Sequence, residues 1–249
     1  MKTKIKILWL AITAFLACNE TPTRPQIDYE SEVNVFGRFI LYANKGQLVS
    51  QKNITLEHTY KITERFPDPR ARAIEDARVI VRSDEQQVEF QRLFEGTYGD
   101  VEDKLKLKPG AAYQLEVLLQ DGRRVTAETI IPTLPEIIIP ERDAEVSSFQ
   151  PLTIKWRPAL FCDHYAVTVY AVDGNFNVTL FSDKTEENFY PFLFAFPGRY
   201  MVKIAALDQN LYDYLRSRSN RNPILHINGG IGVFGSMAFT GVPFMAGLN

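Results

Sequence analysis

The run Gly230-Ile231-Gly232-Val233-Phe234-Gly235 has the G-x-G-x-x-G spacing that cradles a pyrophosphate. That chemistry needs a strand ahead of the glycines, a helix opening on them and an acidic residue about 20 positions later. Only fourteen residues follow Gly235, none of them acidic, and the surrounding sequence reads as strand. These glycines therefore serve a kink or a close backbone approach rather than a nucleotide. His58, His164 and His226 are scattered singly, and no H-E-x-x-H or paired-cysteine spacing points to a metal. No G-x-S-x-G elbow occurs, and Cys162 and the isolated histidines define no nucleophile–base pair. Carboxylates are plentiful but form no constellation, so a hydrolase site would have to be assembled in space. The expectation is a non-enzymatic protein with no cofactor and no metal. Arg65, Arg70 and Arg72 read as a solvated basic turn.

The cysteine that carries chemistry is Cys18. Lys2, Lys4 and Lys6 precede an eleven-residue apolar run ending at Ala17. Such a run is too short for a bilayer, which takes roughly 20 residues, and has the build of a secretory signal. Phe15-Leu16-Ala17-Cys18 resembles a bacterial lipobox, where a peptidase cuts before a cysteine that takes lipid. Residues 1–17 are therefore expected to be a lipoprotein signal peptide, Cys18 the lipidation site and residues 18–32 a polar, Pro-containing tether. The body is then anchored by lipid to the outer membrane, on its periplasmic side or at the cell surface. An export signal of bacterial type also weakens the glycosylation reading of Asn53-Ile54-Thr55 and Asn177-Val178-Thr179. The formal net charge of −2 becomes more negative when the three signal lysines are lost, which disfavours nucleic acid as a partner. With 45% apolar residues the chain has real cores, and with Cys18 lipidated Cys162 is left without a disulfide partner.

The elements that position these residues read as short strands. Residues 33–133 alternate at period two, with Asp121-Gly122 a hairpin turn between Tyr113–Leu119 and Arg123–Ile131. Ala77–Val81 and Val88–Phe90 form another hairpin, Leu105 and Leu107 point inward from a short strand, and no long 3.6-residue period appears. Pro132-Thr133-Leu134-Pro135 is the expected boundary. In residues 136–249, Trp156, the strand Tyr165–Tyr170 and the run Pro197-Gly198-Arg199-Tyr200-Met201-Val202-Lys203-Ile204 resemble a fibronectin type III module. Gln209–Ser217 reads as one or two helical turns. The fold class is all-β, with two antiparallel β-sandwich domains, the second fibronectin type III-like.

Two stretches stand out as a candidate partner surface. Phe189–Phe196 is apolar on both alternating faces, which nominates Tyr190, Phe192, Phe194 and Phe196. Residues 222–249 contain no Asp, Glu, Lys or Arg. Ile224–Phe239 is expected as a strand of the second sandwich, and Pro243 is expected to stop the ladder and leave Phe244 and Met245 free.

Glu75-Asp76-Ala77-Arg78-Val79-Ile80-Val81, Pro109-Gly110-Ala111-Ala112-Tyr113, the Ala206-Leu207-Asp208 to Leu215 run and the ending Gly229-Gly230-Ile231-Gly232-Val233-Phe234-Gly235 together resemble a Bacteroidota outer-membrane lipoprotein family of unknown function. Its genes often accompany TonB-dependent receptors, so the resemblance implies an accessory or binding partner of an outer-membrane receptor and supplies no catalytic residues. A structural, pilus-like subunit assembling by strand addition is the alternative; it requires a removable first strand and a free apolar last one.

Overall fold

Alternating apolar residues give β1 (Val33–Asn44) and β2 (Gln47–His58), which pair antiparallel over their whole length. Val35, Phe39 and Leu41 point into the core from β1, and Lys52, Ile54 and Leu56 from β2. The computed structural model describes residues 30–44, 46–60, 69–190, 196–220 and 222–247. The expected signal peptide, Cys18, most of the tether, Arg65, Phe192 and Phe194 lie outside those residues. After a short helix, Pro69–Arg72, come β3 (Arg78–Arg82), β4 (Gln87–Phe94), β5 (Thr97–Gly99), β6 (Ala112–Leu118) and β7 (Arg124–Ile130). The later half holds β8 (Glu136–Ile139), β9 (Ala144–Ser147), β10 (Leu152–Arg157), β11 (His164–Ala171), β12 (Asn177–Ser182), β13 (Glu186–Phe189) and β14 (Gly198–Leu207). A helix, Gln209–Ser217, then leads to β15 (Ile227–Asn228) and the seventeen-residue β16 (Ile231–Gly247).

The protein is all-β; β1–β7 and β8–β14 pair on their own sides of Pro132–Pro135, and only β15 and β16 cross back to the first half. One long sheet runs β12-β11-β14-β16-β1-β2-β5-β4-β3-β6-β7-β15, with β9 beside the end of β16; a smaller sheet runs β13-β10-β8. At β4 the long sheet turns over, because β4 pairs with β5 at one end and β3 at the other. Val35, Phe39, Val79, Tyr113 and Val117 thereby share the first core. The second core lies between β11-β14-β16 and the smaller sheet, around Trp156, Tyr165, Val167, Val202 and Phe244. Trp156 is 1% exposed and meets Tyr165 edge-on at 5.3 Å, as expected of an aromatic between two sheets.

β16 departs most from expectation. Its residues Ile231–Phe239, placed by sequence in the second sandwich, pair parallel with β1 of the first. Phe234 and Ala238 fill the first core, while Phe244 and Ala246 fill the second. Nor does Pro243 end the ladder: β16 continues against β14 to Ala246 and against β9 from Phe244. The carbonyl of Pro243 accepts from Asp143 N at 2.7 Å on the side away from β14. A residue's N–H and C=O leave a strand on the same side, so the missing donor falls outside the β14 ladder.

Lys104–Lys108 is the other local difference. Leu105 and Leu107 are buried as expected, yet the segment joins no ladder. Side chains capture its amides instead: Asp100 takes Lys104 N and Leu105 N, Gln86 takes Lys106 N, and Tyr113 Oη takes Lys108 N. Asp100 in turn is bound by the buried Lys52 ammonium at 2.9 Å, which also reaches Asp103 and the Leu105 carbonyl.

One strand serving both cores couples their stability. Phe234→Ala and Phe244→Ala should each cost about 3–5 kcal/mol and each lower one common thermal transition. Calorimetry resolving two transitions, each sensitive to only one substitution, would show that β16 does not join the sandwiches energetically.

Candidate functional site

The candidate partner surface lies at the far end of the second sandwich. Phe196 ends the turn into β14, its carbonyl accepting from Tyr200 Oη at 2.9 Å, and its ring is 79% exposed. Beside it opens a cleft of about 680 Å³ lined by Ala171, Val172, Phe176, Phe196, Pro197 and Tyr200. Tyr200 stands at its floor, 6.2 Å from the Phe176 ring and stacked at 5.6 Å on Phe244. Asp173, Asn175 and Arg199 make its polar rim, and Arg199 pairs with Asp143 at 3.3 Å. Tyr190 and Met245 are exposed as expected. Phe244 is not: it is fully buried, because the strand alternates and its side chain faces the second core while Met245 faces out. Val172 and Phe149, both exposed, were missed, since a single apolar residue in a turn leaves no pattern.

A larger cleft, about 900 Å³, lies between the outer edge of β7 and the start of the Gln209–Ser217 helix. Several of its charged groups pair with one another. Glu116 bridges Arg82 and Arg124, and the Arg82 bond holds its carboxyl below the usual range. His226 Nε2 meets Asp213 at 2.8 Å. Cys162 sits half-buried at the rim, and burial pushes its thiol up, leaving it a poor nucleophile. His164 stacks on Tyr212 at 3.6 Å, far in role from any ligand cluster. Arg70 is exposed and pairs with Glu95, whereas Arg72 is partly buried and pairs with Glu57.

Asp208 is the buried acid here. It caps the helix, Oδ1 accepting from Leu211 N at 2.9 Å and from Ser236 N at 3.0 Å, while Oδ2 accepts from Thr129 Oγ1. One carboxylate thus joins the helix, β16 and β7. The only local sign in the sequence is an Asp immediately before the helical run. The glycine fingerprint is explained by the same packing. A Cβ on Gly232, at φ +107°, would lie 2.0 Å from the Val35 carbonyl, and one on Gly235 would lie 2.9 Å from Leu211 N. Those glycines let β1 and the helix approach β16.

Burial raises the Asp208 carboxyl from 3.8 to about 6, against the three hydrogen bonds that favour its ionised form. The folded protein therefore binds this proton more tightly than the unfolded chain does. Its contribution to stability is full below pH 3.8 and declines as the pH rises through about 6. Asp208→Asn keeps an oxygen for Leu211 and Ser236 and abolishes the titration. Urea unfolding should show the wild type losing stability relative to Asp208→Asn between those two pH values. Parallel profiles would mean the carboxyl is solvated.

No curated protein matches the chain. Among solved structures, a two fibronectin type-III domain segment from chicken tenascin aligns with 63% of this chain and 84% of its own, at 13% identity and a TM-score of 0.26. DIP-gamma IG1+IG2 aligns with 88% of this chain and 99% of its own, at 9% identity and a TM-score of 0.22. Residues 27–240, which take in nearly all of both sandwiches, match the family described as "Domain of unknown function (DUF4249)", and the chain belongs to that family.

Proposed function

We propose that this protein is an outer-membrane lipoprotein that acts without catalysis, as a binding or accessory partner of a TonB-dependent receptor. The observation that carries the anchoring is Phe15-Leu16-Ala17-Cys18 behind three lysines and an apolar run. Bacterial lipidation of such a cysteine attaches more than one acyl chain, which is what stable anchoring requires. The binding half is supported by the exposed Phe149, Val172, Tyr190, Phe196 and Met245 at one end of a sandwich whose core is already filled. Apolar groups that folding does not use are best explained by a partner that covers them. The receptor class comes from the resemblance to Bacteroidota lipoproteins whose genes often accompany such receptors. Strand exchange of the pilus kind is disfavoured by the β1–β16 ladder: removing one strand would strip either Phe39 or Phe234, which pack 5.1 Å apart, from one core.

Cys18→Ala should abolish labelling by a fatty-acid probe and leave the protein soluble or unprocessed. The double variant Tyr190→Asp, Phe196→Asp should keep its fold and lower receptor co-purification from outer membranes by about tenfold or more. Undiminished labelling would refute the anchor, and undiminished co-purification would refute the surface.

A further inference from the structure

The edges of the two sheets are mostly protected. On β7 the Asn210 amide donates to the Glu128 carbonyl and Ser236 Oγ donates to the Ile130 carbonyl, so side chains close the edge beyond the two residues of β15. β8 lies between Pro135 and Pro140 and is bulged against β10, β9 is four residues long with Glu145 in it, and β13 carries Glu186 and Glu187. These are the usual devices against unwanted pairing. Among the longer edge stretches, residues 47–51 at the tip of the β1–β2 hairpin and β12 carry no charged residue.

β12 is the better receptor for another strand. Ala171 N donates to Phe176 O at 2.9 Å, and this fixes which pairs of the β11–β12 ladder exchange hydrogen bonds. By alternation Val178, Leu180 and Ser182 bond inward to β11, so the N–H and C=O groups of Asn177, Thr179 and Phe181 point off the edge. Among the described residues none of those six groups has a partner. Beside them Leu180 is 38% exposed on one face. On the other face the Arg216 guanidinium lies 5.7 Å from the Phe181 ring centroid, and no described carboxylate pairs with it. Two strands further in, the Lys203 ammonium rests on the Phe239 ring at 3.8 Å, also without a carboxylate. The face next to this edge is thus cationic and aromatic.

We infer that β12 accepts an extended segment of a partner protein as an additional strand, with acidic residues alternating onto the Arg216 face and apolar residues onto the Leu180 face. Main-chain bonds to Asn177, Thr179 and Phe181 supply the pairing, and the alternating side chains supply selection. A second copy of this chain fits less well. Its own β12 offers only Asn177, Thr179 and Phe181 to that face, leaving both Arg216 groups unmatched. This assignment rests on the partner-binding reading and specifies one mode of it, at a surface separate from the apolar cleft beside Phe196.

The probes are seven-residue peptides alternating valine with glutamate or lysine, and a glutamate peptide N-methylated at alternate amides, titrated into the full-length chain. The glutamate peptide should bind about tenfold more tightly than the lysine peptide, and the N-methylated one should not bind. Thr179→Pro removes an outward N–H and spares the main-chain bonds to β11, losing only the exposed hydroxyl contact with Thr168, so it should stay folded and lose the peptide. Arg216→Glu should reverse the preference between glutamate and lysine. The inference is overturned if the N-methylated peptide binds equally, if no glutamate peptide binds at millimolar concentration, or if Arg216→Glu leaves the preference unchanged. It is equally overturned if the chain instead dimerises through β12. Should Thr179→Pro misfold, the N-methylated peptide still decides the matter. None of these readouts involves Cys18 or a receptor, so they separate this assignment from the anchoring and receptor reading.

Discussion

The seventeen-residue β16 pairs with a strand on one edge or the other over its whole length and is covered on both faces for most of it, and much of the fold follows from that confinement. Residues 231–239 pair with β1, 237–246 with β14 and 244–247 with β9. On one face Phe234 and Ala238 enter the first core, and Phe244 and Ala246 the second. On the other, Val233 packs with Leu207 and with Leu211 of the Gln209–Ser217 helix. A charge at almost any of these positions would be buried without a partner, at a cost of several kcal/mol. The uncharged tail is the sequence's answer to this. Pro243 is tolerated because its missing donor faces the side where β1 has ended and β9 is only beginning.

Two buried charges hold the irregular parts around this frame. Asp208 gathers donors from Thr129, Leu211 and Ser236, so the chain's turn from β14 into the helix is tied to strands of both halves. Lys52 does the converse in the first sandwich, giving its ammonium to Asp100, Asp103 and a carbonyl. Each group is surrounded by partners of opposite character, as burial demands. Cores and clamps together leave the unspent chemistry at the periphery: an apolar end beside Phe196 and an open edge at β12. These are the two surfaces on which the proposed binding role rests.

What the sequence determined alone was local. Period-two alternation and turns such as Asp121-Gly122 specify hairpins, because their partners lie a few residues away and the turn sets the register. Trp156 and Tyr165 were legible as core, and the absence of charge after residue 222 was legible as cover of some kind. The run Phe189–Phe196, apolar on both alternating faces, was legible as either packed on both sides or displayed to a partner, and the structure leaves Tyr190 and Phe196 exposed.

Tertiary structure decided what covers what. The Val35–Gly232 pairing joins residues almost at opposite ends of the chain, and no local pattern announces a parallel partner so distant. Phe244 and Met245 are adjacent and equally apolar. Only the insertion of β16 into the sheet determined that the first is core and the second is surface. Lys104–Lys108 alternates like a strand, yet Asp100, Gln86 and Tyr113 took its amides before any strand could. The open edge of β12 was hidden for the same reason. Alternation records which side chains turn inward, whereas an unpaired backbone group depends on which strand is missing beside it.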